Sequence, residues 1–313
     1  MAFSLAGKII WVAGHRGMVG GAITARLKAE NCTILTATHA ELDLTRQKDV
    51  EDWMAVNKPD VIVLAAAVVG GILANDSRPV DFLNDNLMIQ SNIIATAHKI
   101  GINRLLFLGS SCIYPRMAPQ PITEDSLLTG PLETTNQWYA IAKIAGIKLC
   151  QAYRRQYGRD YISAMPTNLY GPGDNFDVAS SHVLPALLAK AHRSKRASAP
   201  SIVLWGSGKP MREFLYVEDL AEACVFLLKN YSHEDPINVG FGSDVTIRQL
   251  AETIADVIGF QGGFTFDASK PDGTPKKLMN SARIHALGWR ATTDLRAGIA
   301  KTYAWYKANV THT

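Results

Sequence analysis

Tyr139-Ala140-Ile141-Ala142-Lys143 places a phenol and an ammonium four residues apart, one helical turn apart on the same face. Such a pair suits proton transfer, provided the phenol, with an ordinary pKa of about 10, is brought down to work near neutrality. A neighbouring ammonium and the positive charge of an oxidised nicotinamide both act in that direction. Spacing alone does not identify the site, because Tyr303-Ala304-Trp305-Tyr306-Lys307 repeats it near the C-terminus. Context separates the two. Tyr139 follows Leu108-Gly109-Ser110-Ser111-Cys112-Ile113-Tyr114-Pro115, where an apolar strand ends on hydroxyls and a thiol. Ser110 is suited there to hold a substrate carbonyl oxygen for hydride delivery.

A second chemical feature lies near the start. The apolar run Ile9-Ile10-Trp11-Val12-Ala13 leads into Gly14-His15-Arg16-Gly17-Met18-Val19-Gly20, a GxxGxxG loop that opens a helix. Glycines allow a tight turn and close approach of bare backbone to a pyrophosphate, whose charge the free N–H groups of the helix start stabilise. The next strand ends Thr36-Ala37-Thr38-His39, with no carboxylate placed to hold the ribose hydroxyls of NAD, so NADP(H) is the expected cofactor. Arg16, assisted by His39, is the expected partner of the extra phosphate; the alternative for Arg16 is a solvated loop cation.

The elements that must position these groups follow from the apolar pattern. Strands are predicted at Lys8 to Ala13, Thr33 to Thr36, Val61 to Leu64 and Leu105 to Leu108, and helices from Met18, near Gln47, over Phe82 to Ile100, and from Tyr139 toward Tyr157. That alternation, with strands that are apolar throughout, predicts an α/β fold: a doubly wound parallel Rossmann sheet covered on both faces. After Tyr170-Gly171-Pro172-Gly173 the rhythm weakens into shorter elements and Gly/Pro/Asp/Asn-rich loops. The expected division is an NADP-binding domain over 1–169, completed by 213–239, and a smaller C-terminal α/β substrate lobe over 170–313. Substrate is expected between them, beyond the carboxyl ends of the strands.

Composition sets the class and excludes several others. The 313 residues, 47% hydrophobic and 19% charged, suit a globular enzyme and exclude disorder or coiled coil. The formal charge of +4 is scattered, and the one basic run, His192-Arg193-Ser194-Lys195-Arg196, reads as a solvated helix end or as a subsite for an anionic substrate. No nucleic-acid partner is expected. Cys32, Cys112, Cys150 and Cys224 are widely spaced without metal-ligand or CxxC patterns, so no metal site and no disulfide framework is expected. No apolar run approaches the ~20 residues of a membrane span and no signal-peptide pattern is present, which predicts a cytoplasmic protein with reduced thiols and no membrane partner.

The chain resembles the extended short-chain dehydrogenase/reductase family, in its branch of GDP-keto-sugar epimerase-reductases. The resemblance covers nearly the whole chain: GHRGMVG, GSSCIYP, YAIAKIAGIKLC, PTNLYGPGDNF, SHVLPALL, WGSGKPMREFLYVEDL at 205–220, KPDGTP at 270–275 and Leu287-Gly288-Trp289. It implies epimerisation of GDP-4-keto-6-deoxy-D-mannose at C3 and C5 and reduction of its C4 ketone by NADPH, giving GDP-L-fucose. It also implies roles: Ser110, Tyr139 and Lys143 as the reductase triad, and Cys112 and His182 as the proton-exchanging pair. By the same resemblance Leu42, Asp43, Leu44, Leu108, Gly109, Ser110, Lys143, Pro166, Thr167, Asn168, Leu169 and His182 join the glycine loop and His39 around the cofactor. Lys190, Trp205, Arg212 and Asp272 surround the nucleotide sugar, and the enzyme is a homodimer formed partly by the helix bearing Tyr139. The chemistry is coherent, because hydrogens beside a ketone are acidic and inversion needs a base on one face and an acid on the other. A thiol with an ordinary pKa of about 8.5 becomes a usable base beside a positive group. Without the resemblance, Cys112 reads as inert core and His182 as structural.

Three positions depart from the family pattern: Val68 in place of Lys, the second strand ending without arginines, and Asp177 in place of His. NADP selectivity then falls mainly to Arg16. The rivals are a 4,6-dehydratase, which would set acidic residues beside Ser110, and a C4 epimerase, which would need neither Cys112 nor His182. GDP-L-colitose synthesis, differing at the sugar's C3, and a noncatalytic NADP-binding protein remain as further alternatives.

Overall fold

The computed structural model describes residues 3–177, 180–269 and 272–310. Its first half alternates β1 (Ile9–Ala13), α1 (Met18–Leu27), β2 (Thr33–Leu35), α2 (Gln47–Asn57), β3 (Val61–Leu64), α3 (Ile72–Ser77), α4 (Asn86–Lys99), β4 (Arg104–Leu108), α5 (Gln137–Tyr157) and β5 (Asp160–Pro166). The second half holds β6 (Asn168–Tyr170), α6 (Val183–Arg196), β7 (Ser201–Trp205), β8 (Met211–Tyr216), α7 (Val217–Asn230) and β9 (Ile237–Val239). It ends with β10 (Asp244–Thr246), α8 (Ile247–Ile258), β11 (Gly263–Asp267), β12 (Lys276–Lys277), α9 (Ala282–Ala286) and α10 (Leu295–Asn309).

Six strands form one parallel sheet in the order β2-β1-β3-β4-β5-β9. The order turns round between β1 and β3, which opens a crevice at their carboxyl ends. Successive side chains alternate between the two faces. Ile10, Val12, Val61, Val63, Leu106 and Leu108 pack with Ile23 of α1 and Leu220 of α7. Trp11, Ile62, Leu64, Leu105 and Phe107 pack with Met54 of α2, Ile93 of α4 and Ile147 of α5. Helices on both sides are why these strands read as unbroken apolar runs. The chain leaves this sheet after β5 and returns to its edge with β9.

Between those points and after them lie two smaller sheets. β8 is central to one, flanked by β10 and β12 and paired also with β6; β7 pairs with β11. Here Leu184, Leu188, Leu204, Phe214, Leu250 and Ile254 form a separate core. The basic run ends α6, and Lys195 donates to the Ile258 carbonyl at 2.6 Å, closing the C-terminus of α8. That contact favours the helix-end reading of the run over an anion subsite. The second YxxxK sits in α10, where the Lys307 ammonium lies 4.9 Å over the Tyr303 ring and Tyr303 shares a 3.0 Å hydrogen bond with His192. It is packing, not chemistry.

The helix expected over Phe82 to Ile100 does not begin regularly. Residues Asp81–Asp85 form a π-type turn before α4. Asn86 explains it: its amide donates to the Phe82 and Val68 carbonyls at 2.8 and 3.0 Å and accepts from the Val68 N–H at 2.9 Å. One side chain inserted into the helical ladder widens the turn and ties the loop after β3 to α4.

Candidate active site

The glycine loop joins β1 to α1 and lies against the loop after β3. Gly14 has φ +91°, and a methyl there would stand 2.6 Å from the Ala66 nitrogen; one on Gly20 would stand 2.1 Å from the Gly14 carbonyl oxygen. Only bare backbone fits this cradle, and the first turn of α1 carries no acidic residue. The residues present therefore fit a dinucleotide pyrophosphate. Arg16 and His39 are both exposed, and Arg16 makes no ion pair among the described residues, leaving it available to a phosphate. Leu42 is buried, Asp43 is held by the Thr45 N–H and hydroxyl at 3.0 and 2.7 Å, and the Leu44 carbonyl accepts from Asn92. These three shape the turn after β2. If Arg16 clasps the extra phosphate, Arg16→Ala raises the KM for NADPH about 10- to 100-fold, the worth of a charged hydrogen bond, and leaves that for NADH unchanged. Equal change in both constants would count against that role.

At the end of β4 the structure brings together the residues expected to react. Gly146 lets α5 approach the sheet, since a methyl there would meet the Phe107 ring at 2.4 Å. That approach carries Lys143, buried, to donate to the Leu108 carbonyl at 2.9 Å. The ammonium lies 5.7 Å from the Tyr139 ring centre and 4.9 Å from that of Phe107. Ser110 caps the turn Ser111–Ile113, accepting from the Cys112 N–H at 3.4 Å. Gly109 leaves no room for a side chain, its missing methyl falling 2.5 Å from Met165 sulfur. Pro166 to Leu169 continue β5 into β6; Thr167 donates to the Val239 carbonyl at 3.1 Å and Asn168 to that of Glu213 at 2.8 Å.

The protonation states differ from those expected of the sequence. Burial, with the Cys112 thiol adding to it, pushes the Tyr139 phenol up, not down. Lys143 is the group brought toward neutrality: burial lowers it to about 8. Burial likewise pushes the Cys112 thiol up, outweighing Lys277, Ser110 and Lys143, which pull it down. Desolvation of the charged form exceeds the opposing neighbouring charges at Lys143 and Cys112, whereas at Tyr139 the two act together. His182, at the N-cap of α6, is lowered by burial of its ring and then by Lys277, although part of the residue stays exposed.

Around the outer cleft, the Lys190 ammonium lies 5.1 Å over the Trp205 ring. Arg212 is half-buried on β8, with Asp272 and Glu133 as its opposing charges. Asp272 is a clamp as much as a ligand: its oxygens accept from the Ser207 N–H and hydroxyl at 2.6 and 2.7 Å. Lys270 and Pro271 lie outside the described residues. Two charged residues here escaped the sequence argument, Lys277 and Glu133. Lys277 is paired in register with Arg212 and acts on both Cys112 and His182. A lysine pair after a Gly/Pro loop carries no sign that one of them turns inward.

A parallel sheet with a glycine cradle and a Ser-Tyr-Lys cluster at its carboxyl edge defines a nucleotide-dependent epimerase or reductase, and the chain belongs to the NAD dependent epimerase/dehydratase family, whose model matches residues 10–240. More particularly, it is 56% identical over 308 residues to the GDP-L-fucose synthase of Sinorhizobium fredii, with 98% of each chain covered. The GDP-L-colitose synthase of Yersinia pseudotuberculosis is more distant, at 39% identity with 95% of this chain and 97% of that one covered. Among solved structures, a GDP-L-fucose synthetase from Naegleria fowleri bound to NADP superposes with a TM-score of 0.90 at 30% identity, covering 99% and 97% of the two chains.

Proposed function

We propose that this chain catalyses the NADPH-dependent 3,5-epimerisation and 4-reduction of GDP-4-keto-6-deoxy-D-mannose to GDP-L-fucose. The observation that carries this reading is the convergence of Cys112 with Ser110, Tyr139 and Lys143 at one strand end, where a simple reductase needs no thiol. The stronger likeness to fucose synthases than to a colitose synthase favours the 6-deoxy over the 3,6-dideoxy sugar.

Residues 14–20 would hold NADPH, with Arg16 toward its extra phosphate and Pro166 to Leu169 beside its nicotinamide, and the bound cofactor would supply the hydride. Ser110 holds the C4 oxygen, which polarises the ketone and acidifies the hydrogens at C3 and C5. One member of the pair Cys112 and His182 removes such a proton to leave an enolate; the other returns a proton to the opposite face, inverting the centre. When the hydride reaches C4, the Tyr139 hydroxyl gives its proton to the C4 oxygen, and the Lys143 ammonium stabilises the tyrosinate left behind. A phenol held protonated by burial is suited to that role. Arg212 and Lys190 face the diphosphate, with Trp205 packed beside the nucleotide sugar and Asp272 ordering the loop around it.

The test is to mix the protein with GDP-4-keto-6-deoxy-D-mannose and NADPH, follow the loss of reduced-nicotinamide absorbance and identify the sugar. GDP-L-fucose is expected. Reduction without inversion would refute the roles of Cys112 and His182, and turnover of only the 3-deoxy substrate would move the assignment to colitose synthesis.

The working unit is a homodimer, an assignment supported by the apolar side chains Met88 on α4 and Trp138 and Ile141 on α5, which are 39%, 36% and 41% exposed in the single chain, and the enzyme works in the cytoplasm. Sedimentation is expected to give a dimer, and Ile141→Glu a monomer. No helix of the described residues is long and apolar enough to cross a membrane.

A further inference from the structure

Tyr114 closes the turn that carries Cys112, and none of the roles above uses it. It is buried, and its hydroxyl donates to Asn238 Oδ1 at 2.6 Å, across 124 residues of chain. The hydrogen bonds inside the turn are long by comparison. The Cys112 N–H reaches the Ser110 hydroxyl at 3.4 Å, the Ile113 N–H the Ser110 carbonyl at 3.3 Å, and the Tyr114 N–H that of Ser111 at 3.5 Å. Such bonds give the turn its shape without fixing its place. Among the described residues, the Tyr114 hydroxyl supplies the hydrogen bond that ties Ser111–Tyr114 to another segment.

The acceptor is held independently of Tyr114. Asn238 is the middle residue of β9, where Ile237 and Val239 join the core on one face of the large sheet and Asn238, by alternation, points to the other. Its side-chain nitrogen donates to the Ile122 and Asn280 carbonyls at 3.0 and 3.2 Å, and its backbone N–H donates to Glu124 Oε1 at 3.0 Å. With two carbonyls against the nitrogen, the amide oxygen is left facing Tyr114. Ile122 and Asn280 are braced in turn: the Ile122 N–H donates to the Leu278 carbonyl and the Asn280 N–H to the Ile122 carbonyl, both at 2.8 Å. The Met279 N–H donates to Glu213 at 3.1 Å, and Asn238 is in register with Met165 of β5. The anchor therefore stays in place with or without the phenol, and the catalytic turn is the part that depends on the bond. Burial pushes the phenol up, which keeps it a donor at any working pH.

We propose that Tyr114 is a positioning residue for epimerisation, its hydrogen bond to Asn238 holding the turn so that the Cys112 thiol meets C3 and C5 of the keto sugar. This rests on the proposed function above. Ser110 depends on the bond less, because Gly109 before it is pinned to the sheet through its N–H, which donates to the Ala164 carbonyl at 2.9 Å. Tyr139 and Lys143 stand on α5, outside the turn. Loss of the bond moves the thiol relative to a carbonyl and a hydride path that stay where they are, so exchange slows more than hydride transfer.

The experiment compares wild type with Tyr114→Phe, which deletes one oxygen and keeps the ring, with NADPH binding as the check on folding. Incorporation of solvent deuterium into GDP-4-keto-6-deoxy-D-mannose at C3 and C5 reports epimerisation, and oxidation of GDP-L-fucose by NADP reports the hydride step alone. Mass spectrometry of protein treated with iodoacetamide reports each thiol separately. In Tyr114→Phe exchange is expected to fall about 10- to 100-fold, the effect of displacing a reacting group by up to about 1 Å, with oxidation within about threefold of wild type. Alkylation of Cys112 is expected to rise about tenfold, the worth of one neutral hydrogen bond in opening the turn. Cys150 and Cys224, buried on α5 and α7, are expected to react as they do in wild type. Equal loss of exchange and oxidation would overturn the proposal, as would loss of NADPH binding or a rise in alkylation shared by all three thiols, since each means that the fold as a whole has loosened. If wild type itself exchanges no deuterium, the proposed function falls and this inference with it; if wild type exchanges and Tyr114→Phe matches it, the inference alone falls.

Discussion

Tyr139→Phe removes the proton donor to the C4 oxygen and is expected to slow NADPH oxidation about 100- to 10,000-fold while leaving NADPH binding intact. The change deletes one oxygen from a ring already packed edge-on against Phe82 at 6.3 Å, so the helix and the sheet are undisturbed. Solvent-deuterium incorporation at C3 and C5 continues in this variant, because the proton-exchanging pair is a different set of atoms. The accompanying pH profile identifies the partner. Burial has brought Lys143 down to about 8, so its ammonium form is populated below that pH and lost as pH rises through it. Stabilisation of the tyrosinate is lost in the same direction. The kcat/KM of reduction, which reports the free enzyme, is expected to hold level up to about pH 8 and fall beyond it. In Lys143→Arg, where a guanidinium stays charged, that alkaline fall disappears even if the plateau drops. A fall unchanged by Lys143→Arg would assign the limb to another group, and an active Tyr139→Phe would remove the phenol from the mechanism.

What was readable in the sequence, and what was not, follows from the range of the interactions. The run from Ile9 through Gly20 carries its own instructions: an apolar strand, glycines where a Cβ would strike backbone within 2.1 to 2.6 Å, then a helix. The strands β1 to β4 of the large sheet were legible because a covered parallel sheet demands apolar runs, whereas β5 and β9 were not read from the sequence. The broadened turn before α4 was not, since it depends on Asn86 reaching Val68, a contact between segments. The place of Lys277 beside Arg212 was invisible for the same reason: it comes from the pairing of β12 with β8. Protonation states were the least accessible. The pairing of a tyrosine with a lysine suggests a lowered phenol, but burial of both side chains raises the phenol and lowers the ammonium.

Cys112→Ser separates the two halves of the reaction from the other side. Serine keeps the size of the side chain and a proton to donate, yet an alcohol ionises far less readily than a thiol, so it cannot take part in exchange as either the thiolate or a comparable acid. Deuterium incorporation at C3 and C5 is expected to fall about 100- to 10,000-fold, while oxidation of GDP-L-fucose by NADP, which involves no inversion, changes little. The environment sharpens this prediction. Burial already holds the Cys112 thiol up, and Lys277, Ser110 and Lys143 pull against it. The native thiol therefore sits on a balance that a hydroxyl, starting much higher, has no means to reach. The serine variant should also still place its side chain beside Ser110, since the turn is fixed by the Ser110 cap and the fit of the buried Ile113, not by sulfur. A matching loss in both assays would mean that Cys112 holds the substrate or the Ser110 turn instead of moving protons. Loss of exchange alone would assign it to the epimerisation pair with His182, and His182→Gln should then reproduce the same division between exchange and oxidation.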